Sequence, residues 1–331
     1  MERAERAPRR SALNPVDRPP HPDIIRAMSE TPPPSAQTAA VDSGKSAADE
    51  NFPVGSVLIA PHLRPAIACF YRFARTADDI ADSAALTPQE KIARLDAMAA
   101  ALTDPKSSSE SVSWIERARA LAPMLLAHRV PLQHALDLLA AFKQDAVKSR
   151  YETWEELHAY CMLSAAPVGR FLLDLHGEDR LAWPASDALC NTLQVLNHLQ
   201  DCVADFRTLD RVYLPRAWLA AGGADVDALT NPPAGPGVRA ALDRCLDATD
   251  RWIALAETLP PQLRSRRLAM ESTVIVHLAK RLSMRLRRGD PIARRVALSK
   301  PDFAKAALAA LWFGLTRTRA HAAPLPRSVE P

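Results

Sequence analysis

No run of eighteen or more apolar residues occurs in the 331-residue chain, so nothing in it is predicted to span a bilayer as a helix. Glycine is scarce: the ten glycines form no GxGxxG and no P-loop, which excludes the common nucleotide fingerprints. Cysteine is sparse too. The five cysteines are odd in number, scattered, and include no CxxC, so neither a disulfide framework nor a zinc ribbon is indicated. Cys69, Cys161 and Cys202 sit in apolar helical patterns, where a reduced buried thiol is expected, and this fits a cytoplasmic compartment. The N-terminus lacks the apolar core of a secretory signal. Aromatics are only 5% of the chain, no basic patch is interleaved with them, and a net charge of +4 is too mild to argue for nucleic acid. Strand-type alternation of Val, Ile and Thr is missing throughout.

What is present is helical periodicity. With 48% hydrophobic and 24% charged residues, the chain can bury a large core. Residues 1–50 are rich in Pro, Ser, Ala and Arg and read as a disordered extension; Glu2, Glu5, Asp17 and Asp23 argue against an organellar transit peptide. From Asn51-Phe52-Pro53-Val54 onward, helices are predicted over about 63–83, 88–102, 114–128, 132–147, 153–176, 186–207, 213–221, 238–258, 262–288 and 301–316. Pro- and Gly-rich breakers separate them, among them Trp183-Pro184, Pro260-Pro261 and Gly289-Asp290-Pro291. The expectation is one all-α domain over 51–290, a helical bundle around a shared interior, with a C-terminal helix and tail over 291–331.

Two stretches organise this pattern. Arg75-Thr76-Ala77-Asp78-Asp79-Ile80-Ala81-Asp82 and Gln194 through Asp205 each carry two aspartates spaced i, i+4, which places both carboxylates on one helical face. Tyr71, Arg75, Asp78 and Asp82 fall within an arc of roughly 60°, and Gln194, Asn197, Asp201 and Asp205 within roughly 80°. Cys69, Phe73 and Ile80 back the first stripe; Val195, Leu199, Val203 and Phe206 back the second. A lone DxxxD is usually a solvated face. Here Tyr, Asn and Gln share the stripes, as they would in a cavity lining. Two facing stripes would crowd four carboxylates, which is costly without cations between them. Such hard oxygen ligands suit Mg²⁺ or Mn²⁺, which share coordination with substrate phosphates. Arg75 and Arg211 are placed to assist with charge-assisted hydrogen bonds. A departing diphosphate would leave a carbocation that needs an apolar, water-poor pocket. A di-iron bundle is disfavoured, because Glu155-Glu156-Leu157-His158 is the only Glu-x-x-His match.

Between the stripes lies Tyr160-Cys161-Met162-Leu163-Ser164-Ala165-Ala166-Pro167-Val168-Gly169-Arg170. A proline inside a helix costs about 3 kcal/mol, so the segment reads as a deliberate kink within 153–176. It serves either close helix packing or room for a ligand.

Together these residues resemble the squalene and phytoene synthase family of the class I terpenoid synthase fold, over roughly residues 51–290. The likeness is carried by Tyr71 through Asp82, Arg150-Tyr151, Tyr160-Cys161, Pro167-Val168-Gly169, Gln194 through Asp205, and Arg211-Val212-Tyr213. Within the family it is nearest in pattern to the bacterial hydroxysqualene synthases of hopanoid pathways, through Asn51-Phe52-Pro53-Val54, Asn197-His198-Leu199-Gln200-Asp201-Cys202 and Arg288-Gly289-Asp290-Pro291. The resemblance implies that presqualene diphosphate loses diphosphate, the cation rearranges and water captures it, giving hydroxysqualene with Mg²⁺ and without a reduced nicotinamide. It implies catalytic roles for Tyr71, Tyr160 and Asn197. Substrate contacts would come from Arg75, Asp79, Arg150, Gln194, Arg211 and Tyr213, and metal ligation from Asp78, Asp82, Asp201 and Asp205. Gln200 departs from the family, which commonly has Arg there.

Condensation of farnesyl diphosphate to presqualene diphosphate and phytoene synthesis are the competing enzyme readings, and a non-catalytic helical assembly partner is the alternative of another class. Functional coupling to a presqualene diphosphate synthase is expected if the first reading holds. Ala306 to Leu315 is apolar nearly all round and flanked by Arg and Lys, so peripheral contact with the inner face of a membrane is expected, packing against the core being the plainer alternative.

Overall fold

Twelve α-helices and short 3₁₀ turns make up the computed structural model, which describes residues 58–104, 106 and 111–316. The predicted extension at 1–50 and the Asn51-Phe52-Pro53-Val54 start lie outside the described residues. The helices are α1 Arg64–Asp82, α2 Pro88–Thr103, α3 Ser113–Ala127, α4 Gln133–Asp145, α5 Trp154–Ser164, α6 Ala166–Leu175, α7 Trp183–Leu209, α8 Arg216–Ala221, α9 Pro236–Ala256, α10 Leu259–Gln262, α11 Arg266–Arg288 and α12 Lys300–Thr316. No strand occurs among the described residues; a single parallel bridge joins Arg150 and Val212. The fold is all-α, as the periodicity predicts.

Local chemistry explains where these helices begin and end. Thr87 and Glu90 close a reciprocal capping box on α2. Thr153 caps α5 and Ser265 caps α11, each accepting from a backbone N–H three residues on. Pro184, a separator by the sequence pattern, occupies the first turn of α7, where its missing N–H leaves no bond unmade. The chain leaves α7 through Asp210 in the left-handed region, φ 52°, and the Arg211 N–H returns to the Asp205 carbonyl at 3.2 Å.

Three predicted helices need correction. The span 153–176 is two helices, not one kinked helix: Ala165 breaks the run at φ −121°, ψ −51°, and α6 restarts at Ala166 with Pro167 in its first turn. Proline offers no N–H for continuation, so restarting the helix satisfies more of the backbone than bending it. The span 213–221 shortens to α8, because the chain bends at Leu214 and Pro215, at φ −56°, ψ 123°, caps a helix that begins at Arg216. The span 262–288 begins at Arg266, with α10 as a separate short helix.

Two apolar clusters hold the helices. One gathers α1–α4 around Phe73, Met98, Leu121 and Leu139 and extends to Phe171 of α6. Phe70 of α1 stacks on Phe171, ring centroids 3.9 Å apart. The other gathers α5, α7, α9 and α11 around Leu196, Leu199, Leu246 and Leu282, and takes in Ile292 with Val296, Leu298 and Phe313 against it. Residues 291–316 thus pack on the bundle: Gln200, buried in α7, donates to the Val296 carbonyl at 2.5 Å. α1 and α7 carry the two acidic stripes, one in each cluster.

Candidate active site

On α1 the sequence pattern becomes a wall with two ends. Phe73, Ala77, Ile80 and Ala81 are buried, while Tyr71, Arg75, Asp78, Asp79 and Asp82 stay half-buried on the other side. Tyr71 lines an apolar cavity of 350 Å³, together with Phe70, Val168, Gly169, Leu189, Cys190, Leu193, Leu268 and Ile275. Seven residues on, about 10 Å along the axis, the same helix presents Asp78 and, beyond it, Asp82. An apolar chamber therefore opens beside an acidic rim. Its walls come from α1, α6, α7 and α11, and the break at Ala165 is what lets α6 reach it. Gly169 is required here: a β-carbon would stand 2.4 Å from Ser186 Oγ and 2.6 Å from Cys190 Sγ of α7.

The rim carboxylates are bridged by arginines. Arg75 holds Asp78 at 3.0 Å and Asp79 at 2.9 Å. Arg211 holds Asp82 at 2.6 Å and donates to the carbonyls of Ala81 and Asp145 at 3.3 and 3.2 Å. Arg295 grips Asp201 through Nε and Nη2, at 2.5 and 3.2 Å. Arg150 pairs with Asp210 at 2.5 Å and lies over the Phe206 ring. Asp205 faces the same side of α7 as Asp201 and is half-buried. Burial, then the adjoining Asp82 carboxylate, push Asp78 up to about 7.

One acid was not singled out as a site residue from sequence. Asp145, at the end of α4, is 9% exposed and accepts from the Tyr160 hydroxyl at 2.8 Å. Its Oδ1 is buried with no hydrogen-bond partner among the described residues. Desolvation raises it to about 7 against the opposing pull of Arg211. The stretch Phe142-Lys143-Gln144-Asp145, leading to Ser149-Arg150-Tyr151, stands out in the sequence, but a role for its acid emerges only from the packing of α4 on α1 and α5.

Beside Asp145 the tyrosines form a stacked group. Tyr160 lies 5.3 Å from Tyr151 and 5.8 Å from Tyr213, centroid to centroid. Tyr213 stacks on His198 at 3.4 Å and 11°. His198 meets the Gln194 side chain at 3.1 Å. Burial, with the Arg211 charge adding to it, lowers His198 to about 3, so its imidazole is neutral at ordinary pH. The structure thus joins Asp82, Arg211, Tyr160, Tyr213 and Gln194 through short contacts, and adds Asp145, Tyr151 and His198. Asn197 is half-buried on the same face of α7 as Gln194 and Asp201.

No three His, Cys, Asp or Glu side chains lie at metal-binding distance among the described residues. The donor set nonetheless suits a hard divalent cation: it is all carboxylate, burial and then the adjoining Asp82 raise Asp78, and Asp145 keeps an unpartnered oxygen.

Comparisons with known proteins show the family. The family model for squalene/phytoene synthase matches residues 45–302. The chain belongs to the squalene/phytoene synthase family. It is 43% identical over 269 residues to a hydroxysqualene synthase of Rhodopseudomonas palustris, covering 81% of this chain and 90% of that one. A hydroxysqualene synthase of Zymomonas mobilis is 40% identical, covering 80% and 88%. Among solved structures, squalene synthase HpnC from Alicyclobacillus acidocaldarius superposes with a TM-score of 0.63 at 32% identity, over 71% of this chain and 87% of that one. A dehydrosqualene synthase in complex with ligand has the same fold, TM-score 0.66 at 17% identity, over 80% and 91%. Enzymes of this family act on isoprenoid diphosphates and depend in general on magnesium. No helix among the described residues is long and apolar enough to cross a membrane.

Proposed function

We propose that the chain converts presqualene diphosphate to hydroxysqualene and diphosphate. The observation that carries this reading is the arrangement along α1. Hydrocarbon chains in the cavity at Tyr71 leave the diphosphate at the acidic rim two turns away. The relatives at 40–43% identity, named hydroxysqualene synthase, support presqualene diphosphate as the substrate.

Magnesium ions held by Asp78 and Asp82 of α1 and Asp201 and Asp205 of α7 would supply Lewis acidity toward the leaving group. Arg75, Arg150 and Arg211 stand ready to exchange their carboxylate partners for diphosphate oxygens, as bidentate charge-assisted donors. Asp79 keeps Arg75 extended along the rim. Once the C–O bond breaks, the cyclopropylcarbinyl cation needs electron-rich faces and no competing nucleophile. Tyr160 and Tyr213 present stacked aromatic faces, Tyr71 closes the cavity side, and burial holds the Tyr160 and Tyr213 hydroxyls protonated. Gln194 and Asn197, half-buried on one face of α7, would position the attacking water. Water adds to the rearranged cation, and loss of one proton yields the alcohol, so no hydride donor is needed.

Incubating the pure protein with presqualene diphosphate, with and without reduced nicotinamide, tests the reading. Hydroxysqualene is expected in both cases. Consumption of farnesyl diphosphate alone, with presqualene diphosphate as the end product, would instead make the chain the enzyme of the preceding step.

A further inference from the structure

α12 lies along α11 with one side covered and the other open. Asp302, Ala306, Ala310 and Gly314 are buried against α11, and Gly314 sits so close to Met270 that a β-carbon would stand 2.8 Å from its sulfur. The opposite side carries Leu308, Leu311, Trp312 and Leu315, exposed by 65, 54, 70 and 76%. These positions are spaced i, i+3, i+4, i+7, so they form one continuous stripe. Ala304 and Ala307 extend the same arc. Trp312 and Leu311, which could have packed inward, do not pack on the described core; Phe313 does. The one acid of α12, Asp302, faces inward and is paired with Arg281 and Arg285.

The ends of the stripe are basic. At the start of α12 an open cavity of 540 Å³ is lined by Arg281, Arg285, Arg288, Arg294 and Arg295. Arg288 and Arg294, like Lys300 and Lys305, are exposed and have no carboxylate partner among the described residues. At the other end, Arg266 and Arg267 stand exposed in the first turn of α11, one turn before the Met270 that meets Gly314.

We infer that this face of α12 docks the enzyme flat on an anionic lipid surface. An apolar stripe with an interfacial tryptophan, edged by unpaired cations at both ends, matches the acyl boundary and headgroup layer of such a surface. A second copy of the chain fits less well, because a two-fold contact through the stripe brings the same basic ends together. The placement deepens the proposed function and rests on it in one respect. α11 carries the cavity wall at Leu268, Ser272 and Ile275 on another side from α12, so the helix that lines the hydrocarbon chamber is the one that supports the docked face.

Co-sedimentation with phosphatidylcholine vesicles, with and without phosphatidylglycerol, tests the docking without any turnover. The full chain is expected to bind the anionic vesicles, more weakly at high salt. The Leu308→Gln/Leu311→Gln/Trp312→Gln/Leu315→Gln variant is expected to bind at least about tenfold less while keeping its helical circular dichroism and its activity on detergent-dispersed substrate. Should that variant misfold, Trp312→Gln alone must still weaken binding. Arg288→Gln/Arg294→Gln should lose only the phosphatidylglycerol-dependent part. Absence of wild-type binding at low salt, or equal binding by the glutamine variant, overturns the assignment. So does a dimer in sedimentation velocity that the glutamine variant dissociates, which gives the face to a second copy. Binding that appears only after removal of residues 317–331 gives it to that segment and likewise overturns the proposal. Vesicle binding with no product from presqualene diphosphate would leave the docking standing and fail the reaction alone.

Discussion

Arg211 sets its guanidinium 2.6 Å from the Asp82 carboxylate across 129 residues of sequence. It is 7% exposed and donates from Nη2 to two buried carbonyls. The loop leaving α7 is thereby fastened to the acidic rim of α1. Arg211→Ala would strand Asp82 and both carbonyls. Fully buried pairs cost about 3–5 kcal/mol when one partner is removed, and because the Asp82 side chain keeps 30% exposure a loss of about 2–3 kcal/mol is expected. Urea unfolding measures it. Lysine should recover less than half, since one ammonium cannot serve the carboxylate and two carbonyls in that geometry.

The four stripe aspartates should matter to turnover and, apart from Asp82, which holds the buried Arg211, little to folding. Asp78→Asn, Asp82→Asn, Asp201→Asn and Asp205→Asn each remove an anionic ligand and no core contact. Each is expected to lower turnover by about 10²-fold or more, with the circular dichroism unchanged. Chelation should abolish activity and added Mg²⁺ restore it. Full activity in both Asp82→Asn and Asp201→Asn would remove the metal assignment.

Much of this was legible because helical spacing translates directly into faces. Tyr71, Asp78 and Asp82 had to share a side of α1, and Phe73 and Ile80 had to be buried behind them. What stayed hidden depended on how helices meet. Asp145 closes a stretch, Phe142-Lys143-Gln144-Asp145, that stands out in the sequence without a stated role, and only the packing of α4 brings it to Tyr160 and Arg211. Gln200 read as a missing arginine beside Asp201. In the fold it faces inward to Val296, and Arg295, ninety-four residues on, comes to Asp201 instead. The break at Ala165 was visible as strain around Pro167, yet whether the chain would bend or restart could not be read without the neighbours that fill the gap.

Stability should depend on pH through the buried carboxylates, in the direction opposite to ordinary salt-bridged acids. Asp78 and Asp145 titrate near 7 when folded and near 3.8 when unfolded, so the native state holds more protons between those values. Stability then rises as pH falls from about 8 to about 6.5. Below 6.5 the unfolded state gains a proton on His198 that the folded state refuses until about 3, and the gain is opposed. Thermal melts of metal-free protein across that window should show the rise, and Asp145→Asn should flatten it. Mg²⁺ at about pH 8 should raise the melting temperature of wild type, because a cation bound only by the folded state stabilises it.

His198 should decide the fate of the cation more than its formation. Its ring is stacked on Tyr213, touches Gln194 and is neutral, so it adds no positive charge beside a carbocation. A protonated alcohol is a far stronger acid than an imidazolium even at that depressed value, so the neutral nitrogen suffices to accept the proton that water gives up on adding to carbon. His198→Phe keeps a flat ring against Tyr213 and removes both nitrogens. Diphosphate release from presqualene diphosphate should then stay within about tenfold of wild type, general-base contributions being 10²-fold or more only where the proton moves in the slow step. The organic products should shift from the alcohol toward alkenes formed by proton loss from carbon. Measuring diphosphate and the extracted hydrocarbons in one reaction separates the two effects. An unchanged alcohol fraction would mean that the proton leaves by another route, and a collapse of diphosphate release with an unchanged product ratio would make the His198–Tyr213 stack a structural support for the rim.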